Sequence, residues 1–89
     1  MTKKEYILLT KAKLFCLRTE LRDLKKLLTR TYNFIENCNV KKRKGIRLDS
    51  ETFWNYGHNR KAIKQWESKA RKLDKEIKEM NRLYTFLTT

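Results

Sequence analysis

From Ile7 onward an apolar residue returns at every seventh position: Ile7, Leu14, Leu21, Leu28 and Ile35. Thr10, Leu17, Leu24, Thr31 and Cys38 hold the companion positions three residues on. Alternating steps of three and four keep these side chains on one face of an α-helix, so the pattern predicts a long helix with a seam for a partner. Thr2 and Glu5 form a capping box ahead of it, the hydroxyl accepting from the Glu5 amide. Asn37 and Asn39 read as a stop, since asparagine caps or turns a chain, which places the helix over 2–37.

A second series has the same alternation: Ile63, Trp66, Ala70, Leu73, Ile77, Met80, Tyr84 and Leu87. Gly57 and the polar pair His58–Asn59 bound it upstream, giving a helix over 59–87. Between the two lie a basic tip over 38–49 and, behind the candidate caps Asp49 and Ser50, a short helical segment over 50–56. That connection is too short to run back along either helix, so the two must fold antiparallel. The fold class expected is all-α, a single domain over 1–89: a coiled-coil-like two-helix hairpin with a short extra helical segment near the tip, dimerising into a bundle.

Counting inward along both seams sets Ile7 opposite Leu87, Leu21 opposite Leu73 and Leu28 opposite Trp66. In that register Lys25 and Arg18 face Glu67 and Asp74, pairs of opposite sign. On the other flank Glu20 meets Glu76, while Leu27 and Phe34 meet Lys69 and Ala62 and want a cover. Phe53, with Trp54 or Tyr56, is expected to fold over them.

Charge points to a partner. Lys and Arg number 23 against 10 Asp and Glu, a formal charge of +13, so the chain repels itself and attracts polyanions, nucleic acid first. The run KKRKGIR sets Lys41, Lys42, Arg43, Lys44 and Arg47 around Gly45 and Ile46. Several phosphates could be neutralised there with release of counterions, and a glycine at positive φ lets backbone amides approach an anion. Arg60, Lys61, Lys64 and Arg71 extend the same surface along the second helix. Trp54, Tyr56 and His58 interleave with these cations, and exposed rings beside cations are what unpaired bases stack upon.

Chemistry of other kinds finds little support. His58 is the single histidine, Ser50 and Ser68 have no histidine at a suggestive spacing, and no glycine-rich loop cradles phosphate, so no enzymatic activity is expected. No CxxC or HxxxH spacing exists, so neither a metal nor another cofactor is expected. Cys16 and Cys38 on one helix would stand roughly 33 Å apart, beyond the reach of a disulfide, and are expected to be inert thiols. The longest apolar run, Tyr6 to Leu9, is far short of a membrane span. These features suit a cytoplasmic protein, or a nuclear one if KKRK serves as a localisation tract in a host with a nucleus.

One apolar group stays unassigned to the seam. Leu8, Leu9, Ala12 and Phe15, with Cys16 alongside, lie off the Ile7–Leu14–Leu21 face, and Phe86 falls near the same open end. They are the expected homodimer or partner interface. The function expected is that of a nucleic-acid-binding accessory or regulatory protein, on DNA or RNA. Its rival is a small inhibitor or adapter of phage or mobile-element type, docking on the acidic or nucleic-acid-binding surface of a larger enzyme.

Overall fold

Two helices account for nearly all of the chain in the computed structural model, which describes residues 1–89: α1, Lys3–Arg43, and α2, Ser50–Thr88. They fold back on one another as an extended hairpin measuring 64 × 18 × 15 Å. Its radius of gyration, 19.4 Å, far exceeds the roughly 12 Å of a compact chain of this length, so the molecule is a rod two helices thick. In such a rod the core can only be a single seam.

The seam is built from the residues that the periodicity selects. Leu14, Leu17, Leu21, Leu24 and Leu28 of α1 bury against Leu73 and Ile77 of α2, with Ile63, Trp66, Ala70, Met80 and Tyr84 packed along the edges. Thr10 and Thr31 are also buried there, and each hydroxyl donates to the carbonyl one turn back, Tyr6 and Leu27, at 2.8 Å. This back-bonding lets a polar side chain occupy a dry position without an unpaired group. Only 11 of 89 residues are buried, so each seam leucine carries a large share of the stability.

Both helices are longer than expected. Asn37 and Asn39 do not stop α1, which continues to Arg43, and Cys38 between them is 2% exposed and extends the seam. Asparagine is a poor helix former by only a few tenths of a kcal/mol, less than the gain from burying the neighbouring side chain. The basic tip therefore shrinks from 38–49 to the loop 44–49. No separate segment over 50–56 exists either: α2 starts at Ser50 and passes through Gly57 and His58 without interruption. Tyr56, seven residues before Ile63, is buried and carries the stripe across the glycine, whose helical penalty is about 1 kcal/mol.

The turn is set by capping residues. Gly45 has φ of +74°, the Ile46 amide donates to the Lys41 carbonyl at 2.9 Å, and the Gly45 amide donates to the Lys42 carbonyl at 3.1 Å. This is a Schellman arrangement, in which a left-handed glycine satisfies the last carbonyls of a helix. Four residues on, Asp49 caps α2 by accepting from the Thr52 amide at 2.7 Å. Thr2 caps α1 as expected, accepting from Glu5 at 3.2 Å.

The expected charge pairs across the seam do not form. Arg18 donates to Asn81 at 2.8 Å, while Asp74 pairs with Lys78 within α2 at 3.2 Å. Glu67 stands beside the Tyr32 hydroxyl instead of Lys25, and Glu20 meets Lys69 at 3.2 Å instead of facing Glu76. Exposed pairs are worth about 0.2 to 1 kcal/mol, against roughly 1.5 to 3 for burying a leucine, so the seam dictates and the long flanking side chains accommodate.

The two glycines should respond oppositely to the same substitution. Gly45→Ala forces a Cβ into the left-handed region and should lower stability by about 1 to 2 kcal/mol. At Gly57 an added Cβ meets nothing within 4 Å, so Gly57→Ala should raise stability by about 0.5 to 1 kcal/mol. Denaturant titrations followed by circular dichroism would measure both.

Candidate nucleic-acid interface

The closed end of the hairpin concentrates cations around one aromatic residue. Lys42 lies seven residues beyond Ile35 and thus occupies the next seam position, but it meets a ring instead of an aliphatic neighbour. Its Nζ sits 4.9 Å from the centre of the Tyr56 ring, and the Arg60 guanidinium lies 5.5 Å from that centre. The Tyr56 hydroxyl donates to Asn39 Oδ1 at 2.6 Å, tying the start of α2 to the end of α1. Tyr56 is therefore the last rung of the seam and the support on which two cations rest.

The other predicted phosphate contacts are distributed around this support. Lys41, Lys42 and Arg43 form the last turn of α1, where positive charge also complements the helix dipole, and Lys44 is the helix cap. Arg47 alone lies in the extended part of the loop; Arg60, Lys61, Lys64 and Arg71 are on α2. All nine are exposed, and only Arg43 has a carboxylate partner, Glu36 at 3.0 Å. Lys42, Arg47 and Lys61 share one hollow at the elbow; Lys64 lies further along α2 with Lys69 and Lys72, and Arg71 lies near Tyr32. The nine form a belt with one concentrated end.

Of the aromatics expected over Leu27 and Phe34, Phe53 is outside the core, and of the pair Trp54 or Tyr56 it is Tyr56 that is buried. Phe53 and Trp54 are 63% and 65% exposed, while Tyr56 alone is buried, and Leu27 remains partly uncovered. A continuous α2 explains Trp54: Tyr56 holds the inward position, and Trp54, two residues earlier, lies about 200° round the helix from it. His58 is a helical residue and not a loop or cap histidine, and its ring stacks on Trp54 with centroids 5.1 Å apart and planes within 4°. The four-residue spacing of Trp54 and His58 is the sequence signal for that stack, visible only once α2 is known to cross Gly57. A second group of cations, Arg18, Arg22, Lys25 and Lys26, lines the groove beside the seam together with Asp74.

The open end differs in character. Leu8, Leu9, Ala12 and Phe15 are exposed on α1, Phe15 by 71%, and Cys16 beside them is exposed as well, whereas Cys38 is buried; both thiols are free. Phe86 is 77% exposed but sits nine residues past buried Ile77, about half a turn round α2 at roughly 100° per residue. That places it on the outer side of α2, near the same open end as the Leu8–Phe15 stripe. No helix is long and apolar enough to cross a membrane.

Two side chains titrate away from their ordinary values. The Thr52 amide, donating to Asp49, holds that carboxyl below its usual 3.8, with Thr52's side chain and Lys41 acting in the same direction. The Tyr32 phenol is raised above 10.0, chiefly because Glu67 is the acceptor for its proton, with Arg71 opposing. No protein-family model, curated protein or solved structure matches this chain.

The Asp49 cap makes a signed pH prediction. A folded-state pKa below the unfolded value stabilises at pH above the unfolded value, and the contribution is lost as pH falls through the folded one. The melting midpoint should therefore drop on acidification below about pH 3.8, and drop less in Asp49→Asn, which keeps an uncharged cap. Thermal melts by circular dichroism across that range would measure the difference.

Proposed function

We propose that the protein binds nucleic acid electrostatically, as a cytoplasmic accessory or regulatory factor that catalyses no reaction. The observation that carries this reading is the imbalance of surface charge at the elbow. Of 23 Lys and Arg residues only Arg22, Arg43, Lys69 and Lys78 have a carboxylate within ion-pair distance. The rest hold small counterions, which a phosphate chain would displace with a gain in entropy. Lys41, Lys42, Arg43, Lys44 and Arg47 supply the densest part of the contact, and Arg60, Lys61, Lys64 and Arg71 continue it along α2. A rod bearing such a belt tracks a backbone without reading base edges.

A second reading is favoured by the exposed stripe Leu8, Leu9, Ala12 and Phe15, which an electrostatic binder does not need. Under it the protein is an inhibitor or adapter of a larger enzyme, docking on an acidic or nucleic-acid-binding surface. Under the first reading the same stripe pairs two copies, which brings two elbows onto one particle and raises the effective concentration for a polyanion.

Binding of short oligonucleotides at several salt concentrations separates these readings. Nucleic-acid binding should weaken steeply with salt. The triple variant Lys41→Gln, Lys44→Gln, Arg47→Gln should bind at least tenfold less tightly at low salt and flatten the log–log salt slope by about 2 to 3, with helicity unchanged. Lys42 is left in place because it rests on Tyr56. Absence of binding to any oligonucleotide in dilute buffer would favour the protein-docking reading.

Self-association should show the opposite salt response. Pairing through an apolar stripe brings two strongly positive chains together, so salt screens the repulsion and strengthens the dimer while weakening nucleic-acid binding. Sedimentation at rising salt should shift wild-type protein toward dimer and leave Phe15→Ser monomeric.

A further inference from the structure

The hollow at the elbow combines features that a purely electrostatic surface does not require. Its walls are the loop, at Ile46 and Arg47, and the first turns of α2, at Trp54, Gly57, His58 and Lys61. Phe53 and Lys42 also line it, and no carboxylate does. Lys42, Arg47 and Lys61 have no ion-pair partner, so the rim is cationic and uncompensated. Trp54 is mostly exposed and held flat against His58, which fixes its ring as a plate. Gly57 lies in the interior of α2 where a Cβ would meet nothing, so no packing contact requires a glycine there. Its missing side chain leaves the hollow open beside the plate.

The geometry points to a site for unpaired nucleotides: a base stacks on the Trp54–His58 plate and its flanking phosphates rest on Arg47, Lys61 and Lys42. This inference rests on the nucleic-acid reading above and names the class of nucleic acid. A flat exposed indole offers a π-face, and only an unpaired base has a free face to lay against it; bases in a duplex are already stacked on one another. The uncompensated cations match the phosphates that flank such a base. Base stacking tolerates sequence, so the site selects strandedness and not sequence. The chemistry is common to single-stranded DNA and RNA, which the experiment separates.

The test uses the full-length protein and fluorescence anisotropy. Labelled oligothymidylate, oligouridylate and a duplex of equal length are titrated at two salt concentrations. Trp54→Ala should lose roughly five- to hundredfold in single-strand affinity, with duplex affinity and salt slope nearly unchanged, because it removes stacking and no phosphate contact. Trp54→Phe should recover part of the loss. Gly57→Leu, which fills the hollow, should act like Trp54→Ala, and melting curves would establish that both variants fold. Oligodeoxyuridylate against oligouridylate, which differ only in the 2′-hydroxyl, would show which sugar the site prefers. If wild-type protein binds duplex and single strand but Trp54→Ala weakens neither, or both equally, the unpaired-base site is wrong while the electrostatic reading stands. If wild-type protein binds neither, the electrostatic reading itself has failed.

Discussion

One row of leucines holds this molecule together. With two helices and no third layer, nothing but the Leu14–Leu28 stripe of α1 against Leu73, Ile77 and their neighbours on α2 removes much apolar surface from water. The rest of the structure is subordinate to that contact. Thr10 and Thr31 are admitted to the seam by folding their hydroxyls onto the preceding turn, and charged side chains beside it take whichever partner lies within reach. The seam also ends in an unusual way: its last rung is Tyr56, bonded to Asn39 and covered by Lys42 and Arg60. Polar groups thus take over where aliphatic packing stops, and the change marks the boundary between scaffold and elbow.

That boundary organises the surface. A thin core and a charge of +13 oppose each other, because like charges spread along a rod lower the stability that the seam supplies. A polyanion bound at the elbow would relieve the repulsion and stabilise the fold by mass action. The same features that make the free rod marginal therefore favour a bound state. The elbow is pinned by a left-handed glycine, a carboxylate cap and the Tyr56–Asn39 bond. Apart from Arg47 on the loop, the cations there are presented by helix ends, which lowers the ordering cost of binding.

The two ends of the rod divide the remaining apolar surface. Near the termini, α1 is apolar on two faces, one spent on the seam and the other carrying Leu8, Ala12 and Phe15 into solvent. Phe86 opens on the far side of α2. At the elbow the exposed Trp54 is stacked on His58 beside a cationic hollow, whereas at the open end Leu8, Ala12 and Phe15 form one apolar stripe along α1, which is why the first suggests stacking on bases and the second burial against protein.

Much of this was legible in the residues alone. The seven-residue spacing determined that there are two helices and which face of each is buried, because burial of leucine outweighs competing local preferences, and the short connection made them antiparallel. The positions of the cations, the capping residues Thr2 and Asp49 and the positive φ of Gly45 were equally readable, since each depends on its own side chain or backbone. Helix ends were not. Asn37, Asn39 and Gly57 are weak helix formers whose effect is overruled by the buried neighbours Cys38 and Tyr56, and only the packed hairpin decides that contest. With it went the fate of the aromatics: once α2 crosses Gly57, Tyr56 turns inward, and Trp54 is turned out against His58 to form the plate, with Phe53 exposed nearby. Partners of the exposed charges were likewise decided in three dimensions, because long flexible side chains choose among several neighbours that differ by less than a kcal/mol.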